Sequence, residues 1–351
     1  MGAYTSKRIR TRTPKRALLR LKLVSAALVL TCLFLIARRP TLVEPVNDVS
    51  SPVTSSSEIP HQTSRGVDVL DIGSNLGGSV SFMENALNQV LRDSHKRSIV
   101  VKVLGVDKDP KKVSSATANG AHVVEADVLQ TSIVDLEKLC QGRVMGVTVW
   151  HVLEHMPDCA VASAIWRKAS KLVREFISFR GPSFDDFARL RDLGFHRYYE
   201  DWHGHTCEYT SRLLLESLYA TSRPIEAAIV ILSKPITSSD SRVILPRGSV
   251  SDSHHYDPAR HPSKVSLPFE VPFYEEMRAC IVYRTNEISL RSAMCLRDVL
   301  RHAKNDAKIV HCMYHAAQGG ECVSSLRRIV GEIVEKVNSM PILAFKTSWE
   351  S

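Results

Sequence analysis

From Val67 onward, short apolar runs alternate with stretches of helical spacing, and this alternation sets the fold class. The runs cover residues 67–73, 99–107, 121–127, 146–152 and 174–181, and the helical spacing falls at 82–91, 111–118, 133–140 and 160–172. Strands covered on both faces read as continuous apolar runs rather than as alternation. Strands that take turns with helices predict a parallel sheet between two helical layers. Two later runs, AAIVILS and RACIVYRT, are further strands. Between them, residues 236–272 are rich in Ser, Pro and His and read as a long loop inserted in the domain. The pattern predicts a domain over 66–286 and a helical C-terminal extension over 287–351, its periodicity clearest in SSLRRIVGEIVEKV.

The segment before this body has a different character. Ten of the 46 Lys and Arg residues lie before residue 40, where there is no acid. The rest of the chain carries 36 basic against 37 acidic side chains. A nucleic-acid binder normally carries its basic patch on the folded domain, so the neutral body disfavours a nucleic-acid partner. The basic excess instead flanks the apolar run Leu23–Ala37. Residues 1–16 read as a basic tail, 17–39 as a membrane anchor with Arg20 and Lys22 snorkelling, and 40–65 as a Ser/Thr/Pro-rich stem. Three readings stand: a type II signal anchor of Golgi layout, a cleaved secretory signal, or an organelle transit peptide such as a mitochondrial one. Eight cysteines show no CxxC and no paired metal spacing, so they read first as small buried thiols. In an oxidising lumen some would pair, with partners the sequence does not select. His254, His255 and His261 also lack ligand spacing, and no metal is expected.

Four motifs follow in order at strand ends. The first strand closes on Asp71-Ile72-Gly73-Ser74-Asn75-Leu76-Gly77-Gly78, a turn that lets a ligand approach the backbone. The second ends in VLGVDKDP, with Asp107 and Asp109; the third in Val124-Glu125-Ala126-Asp127-Val128; the fourth in Val149-Trp150-His151-Val152-Leu153-Glu154-His155-Met156.

The ordered set resembles the class I, Rossmann-like S-adenosylmethionine-dependent methyltransferases of the small-molecule type. The resemblance implies an α/β fold with a seven-stranded, mostly parallel sheet and S-adenosyl-L-methionine as cofactor. It places Asp71, Gly73, Ser74, Asn75 and Gly77 around the amino-acid end of that cofactor. Asp107 then holds the ribose hydroxyls, and Asp127 with Val128 the adenine. Asn75 stands where the family has its middle glycine; Asn tolerates left-handed backbone better than most residues. A nicotinamide dehydrogenase fits less well, because Asp107 stands 29 residues beyond Gly78 where that fingerprint wants its ribose acid at about 20.

His155 is the first candidate for a general base, His151 the second, and Glu154 lies between them. The cluster Tyr198–His205, with Tyr199, Trp202 and His205, suits an acceptor pocket. The expected reaction is methyl transfer to a hydroxyl of a small molecule or glycan. The alternative is a catalytically silent scaffold of the same fold, suggested by Asn75 and the long tail.

Overall fold

A computed structural model describes residues 66–93, 101–200, 202–249, 255–303, 306–315 and 321–339. The expected anchor and stem lie outside these residues. Among the described residues no helix is long and apolar enough to cross a membrane.

The alternation read from the sequence is present. Strand β1 (Val69–Ile72) leads to α1 (Gly78–Asp93), β2 (Val103–Asp107), α2 (Pro110–Ala118), β3 (Val123–Glu125), α3 (Ile133–Cys140) and β4 (Val144–Trp150). A single 3-10 turn (Leu153–His155) precedes α4 (Cys159–Leu172) and β5 (Val173–Pro182). Helix starts fall where side chains can satisfy the free N–H groups: Asp109 accepts from Lys111 N, Ser132 from Asp135 N and Asp158 from Val161 N.

Beyond β5 come α5 (Phe187–Asp192), β6 (Phe195–Arg197), α6 (Ser211–Tyr219), β7 (Ile225–Ser238), β8 (Ile244–Pro246), β9 (Pro268–Tyr283), α7 (Leu290–His302), β10 (Lys308–Tyr314) and α8 (Cys322–Ser339). The main sheet runs β10-β7-β9-β5-β4-β1-β2-β3. From β3 to β5 every pairing is parallel, while β9 is antiparallel to both β5 and β7.

Alternate strand residues feed two hydrophobic layers. Leu70, Ile72, Val147 and Val230 pack with α3, α4 and α6, around Leu136, Trp166 and Leu214. Val69, Val103, Ile229 and Ile231 face α1, α2, α7 and α8, around Val80, Ala116, Leu296 and Leu326. Trp166 is wholly buried. Where α7 crosses the start of β1, a buried ion pair joins Arg291 to Asp68 at 2.7 Å.

Three expectations need correction. Residues 236–272 are not one loop: β7 and β9 run on as a ribbon, with Ser238 opposite Pro268, and β8 pairs with β6. Polar side chains on a ribbon that leaves the core hide strand from a hydrophobicity pattern. The C-terminal extension is not all helical: β10 adds an eighth strand antiparallel to β7. As an edge strand it is at most half-buried, and His311 breaks its short apolar run. The cysteines are mostly paired: Cys159–Cys207, Cys280–Cys295 and Cys312–Cys322 are disulfides. Among the described residues Cys140 alone is a free thiol, and burial pushes its pKa up to about 11.

Candidate active site

In an open α/β sheet, ligands bind outside the carboxyl ends of the strands, where the strand order reverses. Here that point lies between β1 and β4. After β1 the chain turns sharply: Gly73 has φ +70, Asn75 +52 and Gly77 +79. A Cβ on Gly73 would stand 2.5 Å from Val152 Cγ2, and one on Gly77 would overlap the Ala121 side chain. The turn therefore needs glycine at both places, and Asn75 takes the left-handed geometry expected of it.

Asp71 and Ser74 have a different place from the expected one. Both are buried beneath the turn. Asp71 accepts from the hydroxyls of Ser79, at 2.5 Å, and Thr148. Ser74 Oγ donates to Asp71 O at 2.9 Å. Burial pushes the Asp71 carboxyl above the usual aspartate range, against the pull of the Ser79 and Thr148 hydroxyls. With Gly77, these residues shape the loop from inside and do not line the cavity above it.

That cavity, about 450 Å³, is lined by Gly73, Asn75, Asp107, Asp127, Val128 and Val152 among others. Asp107 is its anchor. One carboxylate oxygen accepts from Asn75 N at 2.9 Å, the other from Asp109 N at 3.0 Å. Each carboxylate oxygen has a second acceptor site, so the group can orient the glycine turn and still take two ligand hydroxyls. Asp127 accepts from Leu129 N at 2.8 Å. Lys168 of α4 gathers the carbonyls of Val128, Leu129 and Thr131 at 2.6, 3.0 and 2.8 Å, fixing the loop after β3. Lys168 and the cavity-lining Lys108 and Lys112 escape a motif reading. Lys168 shows in sequence only as one charge on an amphipathic helix.

A second cavity, about 740 Å³, adjoins the first, and His151, His155 and Trp202 line both. Its polar wall comes from Arg180, Lys234, Glu275 and Glu276. Arg180 and Arg278 pair with Glu276, and Lys234 lies 3.7 Å from it. Burial works against the Glu276 anion, but Arg278, Arg180 and Lys234 prevail and hold its carboxyl below the ordinary range. These residues lie far apart in sequence. Only Arg180, at the carboxyl end of β5, stands where a strand-end rule would look.

His151 closes β4 with φ +53, its N–H bonded to Arg180 O at 2.7 Å. A non-glycine residue held there costs energy, which the surrounding structure must offset. Its Nδ1 is 3.3 Å from Glu154 Oε1. Glu154 is buried and lines the larger cavity. His155 Nδ1 bonds Gly204 O, and His205 Nδ1 bonds Tyr199 O, both at 2.8 Å. Desolvation holds the His205 imidazole below the usual histidine range. The Tyr199 hydroxyl is spent on the carbonyls of Ser183 and Glu275, so Tyr199 positions the wall with its ring and backbone rather than offering a polar contact. Trp202 meets His155 and His205 edge-on at 5.5 and 4.8 Å between ring centres. The loop bearing Trp202 and His205 is tied down by Thr206 N and Cys207 N on Glu154 O, and by the Cys159–Cys207 bridge.

The strand order, with β9 reversed between β5 and β7 and the cavity over the β1 turn, is that of the class I methyltransferase fold. No protein-family model matches the chain, and no curated protein matches it. Among solved structures it is similar to a magnesium protoporphyrin IX methyltransferase from Synechocystis with bound SAH, at 14% identity over 63% of this chain and 75% of that one, TM-score 0.35. The N-methyltransferase NodS from Bradyrhizobium japonicum matches at 13% identity over 63% and 87%, TM-score 0.33. A SAM-dependent methyltransferase from Methanosarcina mazei matches at 11% over 63% and 93%, TM-score 0.35.

Proposed function

We propose that this chain is an S-adenosylmethionine-dependent methyltransferase acting on a hydroxyl of a polar small molecule or glycan. The observation that carries this is the pair of adjoining cavities with His151, His155 and Trp202 as their shared wall. The residues fit the nucleoside: a glycine turn that a Cβ would fill, and a buried strand-end carboxylate with acceptor sites to spare. When bound, the cofactor supplies a methyl on a sulfonium, activated for in-line displacement.

The chain's own residues then bind and align. Asp107 holds the ribose hydroxyls, and the loop Asp127–Leu129, fixed by Lys168, carries the base. Trp202 and Val152 line the same cavity and would shield the bound cofactor from water. His151 accepts the acceptor's proton, because Glu154 stands behind its Nδ1 and the ring faces both cavities. This reverses the order of His155 and His151 given by the sequence. The charged far wall of Arg180, Lys234 and Glu276 suits a hydroxylated acceptor better than an apolar one such as a quinone. Asn75 turns as a glycine would, which takes away the main feature that suggested a silent scaffold.

The three cysteine pairs support an oxidising compartment for the body, in line with a type II anchor and against a mitochondrial matrix address. The test of the function is transfer of labelled methyl to extracts of lumenal glycans and polar small molecules by the purified full chain. Label in a hydroxyl-derived ether supports the reading; no transfer to any hydroxyl compound argues against it.

The Cys159–Cys207 bridge holds the Trp202–His205 loop against the Glu154 turn. A Cys159→Ser/Cys207→Ser double variant should lose about 10- to 100-fold in turnover, the scale of a displacement near 1 Å. SAH affinity, set mainly at the ends of β1 to β3, should change far less. Equal losses in both would show that the bridge serves the whole fold.

A further inference from the structure

We propose that Glu154, His155 and His205 bind one divalent first-row transition cation, which holds the acceptor's hydroxyl. Ligand atoms of these three side chains all lie within 4.8 Å of one another. Atoms on one ion at about 2.1 Å stand at most about 4.2 Å apart, so small side-chain rotations close the site.

The hydrogen bonding prepares the imidazoles for this task. A backbone carbonyl can only accept, so Nδ1 of His155, on Gly204 O, and Nδ1 of His205, on Tyr199 O, both carry protons. Each Nε2 is thereby left with a free lone pair. A histidine ligand is normally oriented by such an outer bond from its other nitrogen. Here two rings in one cavity wall have it.

Glu154 supplies the charge. Its side chain is 2% exposed, and among the described residues its ion-pair partner is His151, not a Lys or Arg. A buried carboxylate without a permanent cation is costly, and a bound divalent ion removes that cost. The third ligand is held in place by the first: Glu154 O accepts from Thr206 N and Cys207 N, beside His205.

Two imidazoles and one carboxylate suit manganese to zinc rather than magnesium or calcium, which prefer oxygen alone. Three protein ligands leave positions open, and Glu154, His155 and His205 all line the 740 Å³ cavity. An acceptor hydroxyl bound there becomes more acidic, and its proton goes to His151. Only this role rests on the methyl-transfer reading; the ion site stands on its own geometry. Sequence spacing hides it, because the third ligand lies 50 residues beyond the second.

The test strips the purified full chain with EDTA, then titrates Mn2+ followed by electron paramagnetic resonance, and Co2+ followed by its visible spectrum. The expected result is one ion per chain, with affinity reduced more than about 100-fold in Glu154→Gln and in His205→Ala, since even outer partners of a ligand are worth 10- to 100-fold. Thermal melts confirm that both variants fold. If the variants do not fold, Co2+ bands of wild type decide alone, because imidazole coordination shifts them from those of the aquo ion. Binding of no ion, or equal binding by wild type and both folded variants, overturns the proposal. SAH affinity is measured alongside: its absence in wild type defeats the methyltransferase reading and leaves the ion result to stand by itself.

Discussion

Asp107→Ala should weaken binding of S-adenosylmethionine and SAH by about 100-fold or more while the chain still melts cooperatively. The carboxylate is the meeting point of two jobs. It takes Asn75 N and Asp109 N from the protein, and its remaining acceptor sites take the two ribose hydroxyls in the proposed complex. Hydrogen bonds to a charged group contribute about 1.5–3 kcal/mol each, and about 2.7 kcal/mol is already a factor of 100. Asp107→Asn separates the jobs: it keeps the shape and one acceptor oxygen, so its loss should be intermediate. Calorimetric titration with SAH reads both. An alanine variant that binds as well as wild type would remove Asp107 from the site.

Arg291→Met should be the most destabilising of the changes considered, at about 3–5 kcal/mol, or roughly 10 °C in melting temperature for a domain of this size. Arg291 and Asp68 are both about 6% exposed and 2.7 Å apart. Removing the guanidinium leaves the Asp68 carboxylate buried between α7 and the start of β1. Adding Asp68→Leu should recover most of the loss, since replacing both charges by apolar groups is often near neutral. It will not recover all of it, because Asp68 also accepts from Lys102 N at 3.1 Å. The pair also explains why the tail after residue 286 belongs to the body: α7 brings a charge that β1 needs. Thermal melts of the single and double variants decide the point.

The proposed cofactor half of the site is legible in sequence and the proposed acceptor half is not, for a physical reason. Gly73, Asn75, Asp107, Asp127 and Val128 each stand at the carboxyl end of a parallel strand or within a few residues beyond it, so topology alone collects them at one edge. Asp71, Ser74 and Gly77 carry the same motif, yet their burial turns them from contacts into scaffolding. The acceptor wall draws on β4, β5, the Tyr198–His205 loop, β7 and β9, and nothing in the spacing of Arg180, Lys234 and Glu276 announces that they meet. The cysteine pairs are hidden likewise: Cys159 and Cys207 come together only because α4 and the loop after β6 share the Glu154 turn. Strands β1, β2, β4 and β5 are readable because they lie inside the sheet and are largely buried, and β3, short and at the sheet edge, is readable because it keeps its place in the alternation with helices; β6, β8 and β10 fall outside that alternation.

Titration of SAH into the purified full chain decides whether the turn after β1 and Asp107 form a nucleoside site. Saturable binding at one site per chain is expected, weakened by Asp107→Ala and carrying a stabilisation of the melt that grows with ligand concentration. A chain that melts cooperatively yet gives neither binding nor a shift would contradict it.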